Sequence, residues 1–340
     1  MIVVSSKIMG VKLNGLFESR KIKMSELSGK VIAIDAFNWI FQFLTTIRLA
    51  DGSYLTDSKG RVTTHLNGLF YRSVSLLENR IKPVFVFDGK APKFKKETLQ
   101  EREKTKEEAM EKMEHATTAE EKAMYMRRLA RIDDYIIDSS KELLHYLGIP
   151  YIQAPAEGEA QAAALSKQGK VFAAASQDYD TLLFGAKKVI RNLNITNKRK
   201  VSGKGITTGV SPEIIDAGYN LNKLEINREQ LILLSLFVGT DYNKGVDGIG
   251  PKKALKLVKK KSKSELFNAY DFRTDYDINE IYEYFISPSV INVNEDLNPG
   301  KIERERLIKF LCDEHSFSKD RVNQYLEKVK TEDNSLSLYG

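Results

Sequence analysis

The feature that most constrains this chain is a recurrence: short apolar runs that stop at acids. VIAID ends in Asp35 and PVFVFD in Asp88. VFAAA leads through Ser176 and Gln177 to Asp178 and Asp180, and IPYI leads to Glu157 and Glu159. The helical run LILLSLFVGTD ends in Asp241. Brief apolar runs bounded by turns read as buried strands, and KVIRNL (Lys188–Leu193) joins them. Helical patterns lie between: Leu66–Arg80, then DYIIDSSKELLHYLG closing at Gly148, then EAQAAALSKQG closing at Gly169. Strands alternating with helices predict an α/β fold, a mostly parallel central sheet with helices on both faces. Ligands of such sheets sit beyond the carboxyl ends of the strands. Asp35, Asp88, Glu157, Glu159, Asp178, Asp180 and Asp241 are therefore expected to converge.

Each acid alone has a plainer explanation. Carboxylates favour first helical turns, and Asp88-Gly89 suits an ordinary turn. The set carries the argument, because independent capping acids need not recur after almost every strand. In extended chain Asp178 and Asp180 would face one way; Glu157 and Glu159 need an irregular first helical turn, which Pro155 and Gly158 make feasible. Converging carboxylates need a compensating cation. With no His or Cys among them, the donors are hard oxygens, which select Mg²⁺ or Mn²⁺. Seven acids exceed the needs of one ion, so two are expected, a pairing suited to in-line displacement at phosphorus.

A formal charge of +7 is concentrated in KKALKLVKKKSKS (Lys252–Ser264) and around Phe94, which points either to a polyanionic partner or to a solvated lysine-rich face. In VDGIGPKKALKLV, Gly248 and Gly250 turn into a helix starting near Pro251, a pattern that lets backbone N–H groups, Lys252 and Lys253 approach a phosphate backbone. Residues 90–134 are helical by propensity with too thin an apolar stripe for a core, and read as a helical insertion. The chain beyond Leu231 is mainly helical, with a loop-rich stretch at SPSVINVNEDLNPG; the tail at 331–340 reads as flexible. The single cysteine, Cys312, forbids an internal disulfide and favours an intracellular protein. No membrane span and no signal peptide are expected.

Together these motifs resemble the flap endonucleases, structure-specific 5′ nucleases of replication and repair, in their archaeal form. The match runs from Met9 to about Lys330 and includes MGVKLNGLF, VIAIDAFNWIFQFL, HLNGLFYR, PVFVFDGKAPKFK, PAEGEAQAA, SQDYDTLLFG, GTDYNKGVDGIGPKKAL and LIKFLCDEHSFSKDRV. The resemblance implies one nuclease domain with a two-metal site on the same seven acids. It implies that the insertion is an arch over the 5′ strand, with Lys95 and Arg102 polarising the scissile phosphate; their spacing places both on one helix face. It further implies that Gly10 lies near the metals, that Phe41 stacks on a nucleobase, and that Arg48 and Thr63–Arg72 grip duplex and a 3′ flap. Residues 225–270 correspond to the helix–two-turn–helix that holds duplex backbone and K⁺.

Two departures stand out. Residues 1–8 precede Met9, so either Met9 is the true start or a short extension avoids the site. The tail offers Leu336 and Tyr339 but no Gln and no second aromatic, a degenerate version of a sliding-clamp motif. The resulting expectation is a monomeric Mg²⁺-dependent 5′ flap endonuclease with 5′–3′ exonuclease activity, intracellular, or nuclear in a eukaryote. Its rivals are a 5′ exonuclease of the same superfamily, a non-catalytic scaffold for branched DNA, and an RNA-cleaving relative.

Overall fold

The computed structural model describes residues 11, 13, 15–193, 199–200, 207–208 and 211–329. The strands are β1 (Arg20–Lys21), β2 (Val31–Asp35), β3 (Lys82–Phe87), β4 (Tyr151–Gln153), β5 (Ala173–Ala175), β6 (Lys188–Arg191), β7 (Arg199–Lys200), β8 (Thr207–Thr208) and β9 (Glu213–Asp216). Seven of them form one sheet in the order β1-β9-β6-β5-β2-β3-β4, while β7 and β8 pair separately. The β2–β3, β3–β4, β2–β5 and β5–β6 pairs are parallel. The edge formed by β6, β9 and β1 is antiparallel. Neither β1 nor β9 was expected: RK carries no apolar signal, and EIID is too short to separate from the loop before it.

Period-two alternation divides the core. Ile32, Ile34, Phe85, Phe87, Ala173 and Ala175 face one way. They meet helix α1 (Ala36–Thr46), α2 (Thr64–Glu78) and the C-terminal segment around Leu307–Leu311. Ala33, Val84, Val86 and Ala174 face the other. The expected insertion contains α3 (Lys96–Glu114) and α4 (Ala119–Arg128), whose few buried residues include Ala109 and Ala123. Next come α5 (Asp134–Tyr146), α6 (Gly158–Lys167), the single turn α7 (Asp180–Leu183), α8 (Ala217–Leu224) and α9 (Arg228–Val238). Helices α10 (Pro251–Val258), α11 (Lys263–Ala269) and α12 (Ile278–Ile286) follow. Gly148 and Gly169 take positive φ just past α5 and α6, as their C-cap reading required. Among the described residues no helix is long and apolar enough to cross a membrane.

Candidate active site

From β2 the chain passes to β3 on one side and, later, to β5 on the other. This reversal opens a crevice at the carboxyl ends of β2 and β5, where α/β sheets bind ligands. Asp35 closes β2 and caps α1, accepting the Asn38 N–H at 3.0 Å. Asp88 follows β3 and accepts the Gly158 N–H at 2.6 Å. Glu157 is the extended N-cap of α6 and Glu159 lies in its first turn, so this pair spans a strand-to-helix joint. Asp178 and Asp180 differ from the extended-chain expectation: the segment after β5 bends, and Asp180 already begins α7. The Ser176 hydroxyl oxygen accepts the Asp178 N–H at 3.1 Å, which fixes that bend. Asp180 accepts the Val11 N–H at 3.1 Å, and Asp241 follows α9.

The acids share one electrostatic environment. Burial raises Asp35 well above the usual carboxylate range, with Asp88 and Glu159 adding to it. Burial lifts Asp88 to about 6, against the pull of Lys95. Burial lifts Glu159 to about 7, against its hydrogen bond from Ser176. Asp178 and Asp180 are raised by burial and then by neighbouring acids, Asp241 among them. A cation among them would favour the ionised forms and lower these values.

Part of that charge comes from the insertion. Lys95 pairs with Glu157 and stands 3.6 Å from Asp241, while Arg102 reaches Asp241 at 3.4 Å. Burial pulls the Lys95 ammonium down, but Glu157, Asp241 and Asp88 outweigh it and hold it above the usual lysine range. Thr98 donates to the Asp241 carbonyl at 2.7 Å and fastens α3 to the same loop. Two basic groups do not balance seven acids, and the donors are all carboxylate oxygens, so the residues fit hard divalent cations. Among the described residues no group of three or more His, Cys, Asp or Glu is set to hold a metal ion. Glu157, Asp88, Asp180 and Asp241 each face a protein donor.

Sequence reading missed several contributors. The Tyr242 hydroxyl donates to Glu157, and the Tyr284 hydroxyl donates to the same oxygen at 3.4 Å. Ser176 and Thr181 donate to Glu159. Tyr242 adjoins Asp241 and could have been noticed; Tyr284 lies far downstream in an ordinary helical pattern and gave no signal.

The remaining candidates divide. Gly248 has positive φ, Gly250 caps α10, and both are exposed with open space above them. Lys252 and Lys253 are exposed beside them. Phe41 is buried in the core, and Thr63 is buried with its N–H on the Leu55 carbonyl. Arg48 lies over the Tyr54 ring at 3.6 Å and donates to the Gly52 carbonyl at 2.9 Å. Arg72 donates to the Leu193 carbonyl, and burial lowers it to about 10. These arginines hold the protein together where they stand. Gly10, Leu336, Tyr339 and the segments 1–8 and 331–340 lie outside the described residues.

Two domain families match the chain: the XPG N-terminal domain at residues 9–109 and the XPG I-region at residues 148–241. Flap endonuclease 1 of Pyrococcus furiosus is 48% identical over 326 residues, covering 95% of each chain. The chain belongs to the flap endonuclease 1 family. Flap endonuclease 1 of Archaeoglobus fulgidus is 45% identical over 326 residues, covering 95% of this chain and 96% of that one. In three dimensions, flap endonuclease-1 from Methanococcus jannaschii aligns with a TM-score of 0.73 at 36% identity, over 94% of this chain and 98% of that one. The catalytic core of Rad2 in complex with DNA substrate shares the fold, with a TM-score of 0.66 at 24% identity over 92% and 95% of the two chains. The family's fold is the one found here, and both matched domains contribute acids to the crevice.

Proposed function

We propose that this chain is a divalent-metal-dependent, structure-specific endonuclease. It hydrolyses one phosphodiester near the junction between a 5′ single-stranded flap and duplex DNA, in replication and repair, and trims 5′ ends as an exonuclease. The observation that supports this best is the gathering of Asp35, Asp88, Glu157, Glu159, Asp178, Asp180 and Asp241 at one crevice beneath Lys95 and Arg102. In this reading the seven acids hold two Mg²⁺ ions, with Mn²⁺ able to substitute. When bound, such ions lower the pKa of a water and stabilise a leaving oxygen.

The chain's own residues do the rest. Lys95 stays protonated in its buried setting and places a full positive charge where a scissile phosphate would enter. Lys95 ends the short turn before α3 rather than lying on that helix, and Arg102, seven residues on and within α3, offers a fork suited to phosphate oxygens. The N–H groups of Asn38 and Gly158 hold Asp35 and Asp88, and the Asp178 N–H, donating to the Ser176 hydroxyl oxygen, holds the turn at Asp178 before substrate arrives, the kind of preorganisation that lowers a barrier. Gly248, Gly250, Lys252 and Lys253 take the duplex backbone, with K⁺ at that turn, and the 90–134 insertion receives the 5′ strand. In the same reading the protein works as an intracellular monomer, and the segment around Leu336 and Tyr339 makes at most a weak clamp contact.

End-labelled 5′-flap DNA, incubated with and without Mg²⁺, tests the activity. Cleavage near the junction is expected only with the metal, and Asp178→Ala or Asp180→Ala is expected to lower the rate by about two orders of magnitude or more. Near-normal cleavage by either variant would sink the reading. Blunt duplex run beside the flap substrate separates endonuclease from exonuclease action.

A further inference from the structure

The residues just before α3 are held from one side. Phe94 is buried between three tyrosine rings, with centroids at 5.3 Å from Tyr276, 5.7 Å from Tyr284 and 6.2 Å from Tyr242. The rings meet Phe94 close to edge-on, a favourable geometry for aromatic pairs. The Tyr276 hydroxyl donates to the Lys93 carbonyl at 2.7 Å, and Lys93 pairs with Glu280 at 2.6 Å. The chain preceding Lys95 is thus seated on α12 and on the segment leading into it.

Tyr284 occupies the joint of this arrangement. Its ring also packs on Tyr242 at 5.6 Å and Phe184 at 5.9 Å, and its hydroxyl reaches the Glu157 oxygen that Tyr242 shares. The other Glu157 oxygen holds Lys95. One side chain therefore borders both partners of the Lys95–Glu157 pair: Glu157 directly, and Lys95 through its neighbour Phe94. We propose that Tyr284 is a positioning residue for Lys95. It acts chiefly through its ring, which seats Phe94 and so sets the ammonium over the acids. This rests on the reading that Lys95 serves phosphodiester cleavage.

The test is a double-mutant cycle on flap DNA. Tyr284→Phe keeps the ring and is expected to retain kcat within about threefold, whereas Tyr284→Leu lowers kcat about twentyfold with KM changed by no more than about twofold. In a Lys95→Ala background the Tyr284→Leu effect shrinks to about threefold or less. Flap-DNA affinity in chelator, read by fluorescence anisotropy, is expected to stay near wild type, while the melting temperature falls with the loss of the ring's packing and shows that the variant is still folded at the assay temperature. Phe94→Leu probes the same contact from the other side and should reproduce the kcat loss, which covers the case in which Tyr284→Leu does not fold. Wild-type kcat in Tyr284→Leu, a similar loss in Tyr284→Phe, or additive losses in the cycle would each overturn the proposal. Undiminished cleavage by Lys95→Ala would instead overturn the role given to Lys95 itself.

Discussion

A methyl group added at Gly158 would lie 2.7 Å from the Asp88 carboxylate oxygen that the Gly158 N–H holds, and 3.2 Å from the Val86 carbonyl. Only a glycine lets the start of α6 come this close to the end of β3. Gly158→Ala is expected to destabilise the fold by about 1–3 kcal/mol and to displace Asp88; a thermal melt and a flap-cleavage rate, both lower than wild type, check it. A second outcome follows from the acids themselves. Asp88 and Glu159 bind protons more readily when folded than when unfolded, with folded values of about 6 and about 7. The folded state therefore carries extra protons above the ordinary carboxylate range, and stability falls as pH rises through that window. In chelator, the melting temperature is expected to drop between about pH 5 and about pH 7.5, and Mg²⁺ should restore more of it at the upper end. A curve rising across that interval would contradict the electrostatics described above. At this scale the sequence was most legible where an acid interrupts an apolar run, as at Asp35. It was silent on Tyr284, because a tyrosine in an amphipathic helix reads as core.

Elements were legible where hydrophobic period and caps agreed. VIAID became β2 over the same residues, and Gly148 and Gly169 ended their helices with the left-handed φ that glycine tolerates. Legibility failed where long-range pairing, not local pattern, makes the strand. Arg20 pairs with Ile214, nearly two hundred residues away, and nothing in either stretch announces it. It failed again at Asp178–Asp180, where Ser176 bends a segment that alternation alone would leave extended. The turn before α10 was readable because Gly248 needs positive φ and Pro251 suits a first helical position. Its prediction belongs here too. Replacing Lys252 and Lys253 together by Ala should weaken flap-DNA binding and reduce the slope of log affinity against log salt by about two. An unchanged slope in an anisotropy titration would remove α10 from the duplex interface.

As a whole, the molecule is a sheet with a core on each face and an insertion that leans back on the body. That contact is tight: a methyl group at Gly52, which has φ +85°, would meet the Ala123 backbone of α4 at 2.6 Å. Arg48 stiffens the seat by binding the Gly52 carbonyl beneath it. Gly52→Ala is expected to lower stability by about 1–3 kcal/mol and to slow flap cleavage, with binding of duplex lacking a flap unchanged. Equal cleavage rates for the variant and the parent would show that the seat does not matter to the 5′ strand. This packing of insertion on body could not be read from 90–134, whose apolar residues are too thinly spread to mark a packing face.

The Val11 amide, close to the amino end, reaches across to Asp180, one of the buried acids. For anyone preparing this enzyme, that single hydrogen bond argues for leaving the sequence at Val11 undisturbed. Cutting the chain back to or past that residue would strip Asp180 of a backbone donor, so a trimmed version should keep it.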